Sequence, residues 1–140
     1  MNKRNYLFTL GLCFASIVAT GCTAQAICEK EKECASDPPG EDYIQVCTAR
    51  YNGEVDTLNA NKEDECLALS NAKVRLDACR AQLDCDDYDE SDLGGNCDEE
   101  LDAFEEAYED ASDINIEGDA TVLLVGPHLG YVPEDCSALD

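Results

Sequence analysis

Apolar residues follow two different rhythms along this chain of 140 residues. Tyr6 to Ala19 is an almost uninterrupted apolar run, whereas from Ile44 onward apolar positions recur every three or four residues. A helix needs about 20 apolar residues to cross a bilayer, so the first run is too short to span one. Preceded by the positive Lys3 and Arg4, it fits the apolar region of a secretory signal. The second rhythm is that of amphipathic helices, and it predicts three of them.

Ile44, Cys47, Tyr51, Val55 and Leu58 form the first stripe, which runs through Gly53 at a local cost of about 1 kcal/mol relative to alanine. Asp37-Pro38-Pro39-Gly40 forbids helix upstream, and Asn59-Ala60-Asn61 ends this element. Asn61, with Asp64 three residues on, is the expected cap of a second helix carrying Cys66, Leu69, Ala72, Leu76, Cys79 and Leu83. The short turn between them predicts an antiparallel hairpin. At about 100° per residue, Cys66 and Cys79 fall on opposite flanks of the second stripe, which predicts staples on both sides. A third helix is expected after Asn96, with Glu99 in capping-box spacing and Cys97, Leu101, Phe104, Tyr108 and Ala111 on one face. The tyrosines and Phe104 on these stripes are expected in the core.

The tail changes character. Ile114-Asn115-Ile116-Glu117 alternates, Gly118-Asp119 offers a turn, and Ala120 to Val125 is apolar and β-rich, which predicts a small hairpin laid on the helices. Gly126-Pro127, Gly130 and Pro133 then keep the chain irregular up to Cys136. The expected fold class is therefore all-α: a disulfide-stapled helical hairpin plus a third helix, with a short extended or β-hairpin tail. The expected divisions are a signal peptide over 1–21 (alternatively 1–26) and a tether with a short cysteine segment over 22–41. The stapled helical domain follows over 42–111, and an irregular or β tail tied back by Cys136 covers 112–140.

Two exits from the signal are written in the sequence. Ala19-Thr20-Gly21-Cys22 resembles the lipobox of bacterial lipoproteins, with alanine standing where leucine or valine is usual. That resemblance implies an acylated Cys22 as first mature residue, and Thr23 rather than aspartate after it implies the outer membrane. Ala24-Gln25-Ala26 fits ordinary signal cleavage, leaving a soluble chain that starts at Ile27. Several acyl chains would anchor firmly, each buried CH₂ contributing about 0.8 kcal/mol. Cys13 is removed by either route, and the same eight cysteines remain: Cys28, Cys34, Cys47, Cys66, Cys79, Cys85, Cys97 and Cys136. An even set in an exported chain predicts four disulfides. Their spacings are nearly palindromic (6, 13, 19, 13, 6) and suggest nesting Cys28–Cys85, Cys34–Cys79 and Cys47–Cys66. Helical rise would offset Cys47 from Cys66 by roughly 10 Å, beyond the 4.4–6.8 Å that a bridge allows between Cα atoms. Cys85–Cys97 is an alternative local bridge.

Charge narrows the partners. Without Lys3 and Arg4 the chain keeps seven basic residues against 32 acids, a net charge of −25. Nucleic-acid binding needs a basic face and is excluded as an expectation; electrostatic docking to anionic lipid is equally disfavoured. Such self-repulsion opposes compaction, and native disulfides, each adding about 2–4 kcal/mol, are expected to decide whether the fold survives.

Candidate chemistry is thin. Asp113, Asn115, Glu117 and Gly118 resemble the opening half of an EF-hand loop, yet the twelfth position is Leu124 where a bidentate glutamate is required. Asp84, Asp86, Asp87, Asp89, Glu90 and Asp92 crowd one loop that would gather divalent cations weakly at best, and a solvated loop is expected. No CxxC pair exists for zinc or redox exchange, and His128 is the lone histidine, without a nucleophile beside it. No catalytic residue, metal site or cofactor is expected, and no enzyme activity.

From Cys47 to Asp110 the chain resembles small cysteine-rich helical modules of exported, uncharacterised proteins of myxobacteria and related bacteria. The resemblance lies in Cys47-Thr-Ala-Arg-Tyr, Asp64-Glu-Cys66, Leu76-Asp-Ala-Cys79, Leu83-Asp-Cys85 and Cys97-Asp-Glu-Glu-Leu followed by Ala107-Tyr108. Such modules often carry another cysteine after that Ala-Tyr; here Glu109-Asp110-Ala111 follows, and the resemblance has Cys136 take that partner's place. It implies a stapled helical fold at the cell surface and no particular activity. The functional expectation is a binding or structural surface module, envelope-anchored or secreted. Weak Ca²⁺ binding and a secreted inhibitor or toxin-like factor are the alternatives.

Overall fold

The computed structural model describes residues 20–37, 39–89, 93–112 and 123–137. Its helices are α1 (Thr20–Cys34), α2 (Tyr43–Asn61), α3 (Asp64–Arg80), α4 (Cys85–Tyr88), α5 (Asp98–Ser112) and α6 (Glu134–Ser137), with a two-stranded hairpin, β1 (Leu124–Val125) and β2 (His128–Leu129), between the last two. The expected all-α, disulfide-stapled class with a small β-hairpin near the C-terminus is what the chain adopts.

The helix α1 replaces the expected tether. Ala24, Ile27 and Cys28, spaced by three and one, are each fully buried against α2 and α3. These few apolar positions overlap the stretch that also reads as a cleavage region, so their helical spacing is easily attributed to targeting. Beyond Cys34 the proline-containing stretch breaks the helix, and α2 begins at Tyr43. Cys47, Tyr51, Val55 and Leu58 of α2 are buried, the stripe that periodicity predicts.

Lys62 stops α2 by entering the left-handed region at φ 64°, and Glu63 is extended, so the chain reverses within two residues. Tyr51 and Lys73, equidistant in sequence from Lys62, come face to face, which makes α2 and α3 an antiparallel hairpin. Asn61 does not cap α3. It is the last residue of α2, and its Oδ1 accepts the Glu63 N–H at 3.3 Å while its amide donates to the Asp135 carbonyl.

α3 is the central element, packed against α1, α2 and α5. Its predicted stripe is buried at Cys66, Leu69, Ala72 and Leu76, and so are Ser70, Lys73, Val74, Asp77 and Arg80 on other sides. With three helices packed on it, α3 keeps only a narrow solvated strip, at Asp64, Glu65, Ala68, Asn71 and Arg75, and its other polar residues are buried. Leu93 takes φ 52° with 1% exposure; burying a leucine contributes about 1.5–3 kcal/mol, enough to offset the roughly 1–2 kcal/mol of a left-handed non-glycine residue. α5 starts at Asp98, and in the turn before it Asn96 donates to Asp87 Oδ2 at 3.0 Å. Phe104, Tyr108 and Ala111 are buried as expected, with the Phe104 and Tyr108 rings 6.0 Å apart in a tilted pair.

The expected strand at 114–117, the turn at Gly118-Asp119 and the EF-hand-like segment lie outside the described residues. The hairpin that forms uses Gly126-Pro127 as its turn, with Leu124 opposite Leu129 and Val125 opposite His128. This corrects the irregular reading of that dipeptide. Gly126 has φ 60°, which primed two-residue turns require at their first central position, and Pro127 supplies the negative φ that follows. A Cβ at Gly126 would also sit 2.9 Å from Glu31 Oε1. The tail then closes with α6, which contacts α2 and α5 and buries Cys136 completely.

Candidate functional site

The eight cysteines pair as Cys28–Cys47, Cys34–Cys85, Cys66–Cys136 and Cys79–Cys97, with Cα separations of 5.9, 5.1, 5.5 and 6.1 Å. All lie inside the range that disulfides use. Neither the nested palindrome nor Cys85–Cys97 occurs. The reason is α1: folded back along α2, it brings Cys28 to Cys47 and carries Cys34 to Cys85, which leaves Cys97 for Cys79. Cys66 and Cys79 bridge to different elements, as their places on opposite flanks of α3 demand. Disulfides of this number form and persist in an oxidising compartment outside the cytoplasm. Among the described residues no helix is long and apolar enough to cross a membrane.

Cys22 lies exposed in the first turn of α1, and it too is disulfide-bonded. One sulphur cannot hold both a disulfide and a lipid thioether, so acylation requires Cys22 to enter as a thiol. The acidic stretch from Asp84 is partly helical: α4 occupies Cys85–Tyr88, with Tyr88 buried beneath and Asp84, Asp86 and Asp89 exposed. Among the described residues no group of three or more histidines, cysteines and acids stands close enough to hold a metal ion.

What sequence reasoning missed is a buried charged cluster that grips the C-terminal hairpin. Lys73 and Asp77 are wholly inaccessible and Arg80 is 5% exposed. Lys73 Nζ donates to Asp77 Oδ2 at 2.6 Å and to the Pro127 carbonyl at 2.7 Å, and lies 4.0 Å over the Tyr51 ring. Arg80 Nη1 donates to Asp77 Oδ1 at 2.9 Å and to the Gly126 carbonyl at 3.0 Å, with its guanidinium over Tyr88. One carboxylate thus holds two cations, and the cations hold two consecutive carbonyls of the hairpin turn. From the other side Glu54 Oε2 accepts the Leu129 N–H at 3.1 Å. His128 Nδ1 stands 3.3 Å from Glu54 Oε1, within ion-pair reach but not aligned for a hydrogen bond.

Burial alone would raise the Glu54 carboxyl, but His128, the Leu129 N–H and Lys73 together hold it below its ordinary value. Burial, then the neighbouring Asp77 carboxylate, pushes the Tyr51 phenol far above its ordinary value. Burial does the same to Tyr88, opposed by Arg80 and reinforced by Glu31, whose carboxylate accepts the phenol proton's hydrogen bond. These phenols therefore stay neutral. The cluster joins its charges to one another and to backbone, and it presents Lys73 and Asp77 to no solvent. One hint of it existed in the sequence: α3 holds Lys73, Arg75 and Arg80, three of the chain's nine lysines and arginines, with Asp77 at i+4 and i−3 from two of them.

No family model, no curated protein and no solved structure matches this chain.

Proposed function

We propose that the mature protein begins at Cys22, is held in the outer membrane by acyl chains on that residue, and acts as an acidic, non-enzymatic binding or structural module at the cell surface. The observation that supports this reading is the burial of α1 on both sides of the second cleavage point. Ala24 and Ile27 are both fully buried. Cutting after Ala26 would strip Ala24 from the core and turn Ile27 into a chain terminus bearing a charged ammonium. Taking an isolated charge out of water costs several kcal/mol. Cutting before Cys22 leaves Ala24 and Ile27 in place and puts the new terminus on an exposed residue.

With Ala24 only two positions beyond Cys22, the anchor would join the folded body directly and hold it close against the membrane. An acidic surface opposes association with anionic headgroups, so the acyl chains carry the attachment. Intact mass of the native protein from isolated membranes tests the reading. The expected species starts at Cys22, carries the added mass of its acyl groups, and moves to the soluble fraction or stays unprocessed when Cys22→Ser is made. An unacylated chain starting at Ile27 in the culture supernatant would overturn it and favour a secreted inhibitor.

A further inference from the structure

We propose that the cleft between α3 and α5 is the docking site of a cationic amphipathic segment of a protein partner, helical when bound. This rests on reading the protein as a surface binding module and names the chemistry of its partner. The cleft has a volume of about 270 Å³, and its floor is built from alanines: Ala68 and Ala72 of α3 facing Ala103 and Ala107 of α5. Between two packed helices, such a floor accepts a ridge of side chains from a third.

The rim sets the sign of the partner. Glu100, Glu106 and Asp110 line the α5 side, against Arg75 on α3. Arg75 itself leans toward Glu99, 4.0 Å away and outside the cleft. α5 carries eight carboxylates in 15 residues and no lysine or arginine. Several of them repel at i,i+4, as Asp102 with Glu106 and Glu106 with Asp110, a strain that a cation brought between them relieves. Lysine and arginine fit both halves of the cleft at once. Their methylene stems lie on the alanine floor while their charged ends reach the rim. The strongly negative mature chain adds long-range attraction for such a segment.

The test uses the chain from residue 22 with Cys22→Ser, disulfides intact, titrated with a labelled peptide. The peptide is about 18 residues long, with lysines on one helical face and a leucine seam beside them. Fluorescence anisotropy at about 150 mM salt, where surface charges act over about 8 Å, reads the affinity. Saturable one-to-one binding is expected. Glu100→Gln, Glu106→Gln and Asp110→Asn together should weaken it about tenfold, three exposed pairs being lost. Replacing the leucine seam by serine should weaken it at least as much. Glu29→Gln, Glu33→Gln and Asp37→Asn, an equal charge change on and beside α1, should leave it within about twofold. Absent saturable binding, equal weakening by the two triple variants, or indifference to the seam would each overturn the proposal. Because the peptide assay needs no anchor, an unacylated chain that binds this way would sink the anchor alone, and an acylated chain that does not would sink the cleft alone.

Discussion

Replacing Asp77 by asparagine removes the carboxylate that pairs directly with both buried cations while leaving the volume of the site unchanged. Asp77 accepts from Lys73 at 2.6 Å and from Arg80 at 2.9 Å, and neither it nor Lys73 reaches solvent. Breaking a buried pair by removing one partner costs about 3–5 kcal/mol, because a charge is left without compensation. Against a total of about 5–15 kcal/mol for a domain, that is a large share. At about 4 °C per kcal/mol for a chain of this length, the melting point should fall by roughly 12–20 °C. Far-UV circular dichroism during heating, with disulfides intact, measures it. The triple replacement Lys73→Met, Asp77→Leu and Arg80→Met forfeits two hydrogen bonds to the Gly126 and Pro127 carbonyls, about 1 kcal/mol each. It strands no charge, so it should melt above Asp77→Asn. A cost below about 1 kcal/mol for Asp77→Asn, or a triple variant less stable than the single one, would show that the cluster is not sealed from water as described.

Glu54, whose carboxyl lies below its ordinary value in the folded chain, contributes stability that is complete above the ordinary carboxylate range and lost as pH falls through the depressed value. The melting point of the wild type should therefore exceed that of Glu54→Gln at pH 7, and the gap should close as the pH is lowered through the acid range. Removing Cys66–Cys136, which spans 70 residues, should cost about 4.4 kcal/mol by loop entropy, against about 3.2 kcal/mol for Cys79–Cys97, which spans 18. Chemical denaturation of the two double-serine variants checks the order. Mild reduction with differential alkylation should open Cys34–Cys85, whose residues are both partly exposed, before Cys66–Cys136, whose residues are both buried.

Three helices could be read from period alone because α2, α3 and α5 each keep an apolar stripe on one side, and the tyrosines Tyr51 and Tyr108 are core residues as those stripes imply. α1 escaped because Ala24 and Ile27 sit where an export signal is also legible, and targeting accounts for them just as well. Missing α1 made the bridges unreadable: Cys28 and Cys34 were denied a rigid partner, so the palindrome paired them within the wrong frame. The charged cluster was hidden for a different reason. Lys73, Asp77 and Arg80 have the spacing of an ordinary solvated face, and burial of that face follows only from a hairpin some 50 residues further on. Gly126-Pro127 is a turn dipeptide like Gly118-Asp119, and its service as a hairpin turn became legible only through its packing onto Lys73 and Arg80.

Four crosslinks joining α1 to α2, α1 to α4, α3 to α6 and α3 to the start of α5 hold this strongly acidic chain together. Proteolysis of the native, unreduced protein followed by mass mapping of linked peptides examines them directly. The peptides should be linked as Cys28–Cys47, Cys34–Cys85, Cys66–Cys136 and Cys79–Cys97. A folded protein with eight free thiols, or one linked through Cys85–Cys97, would contradict this architecture.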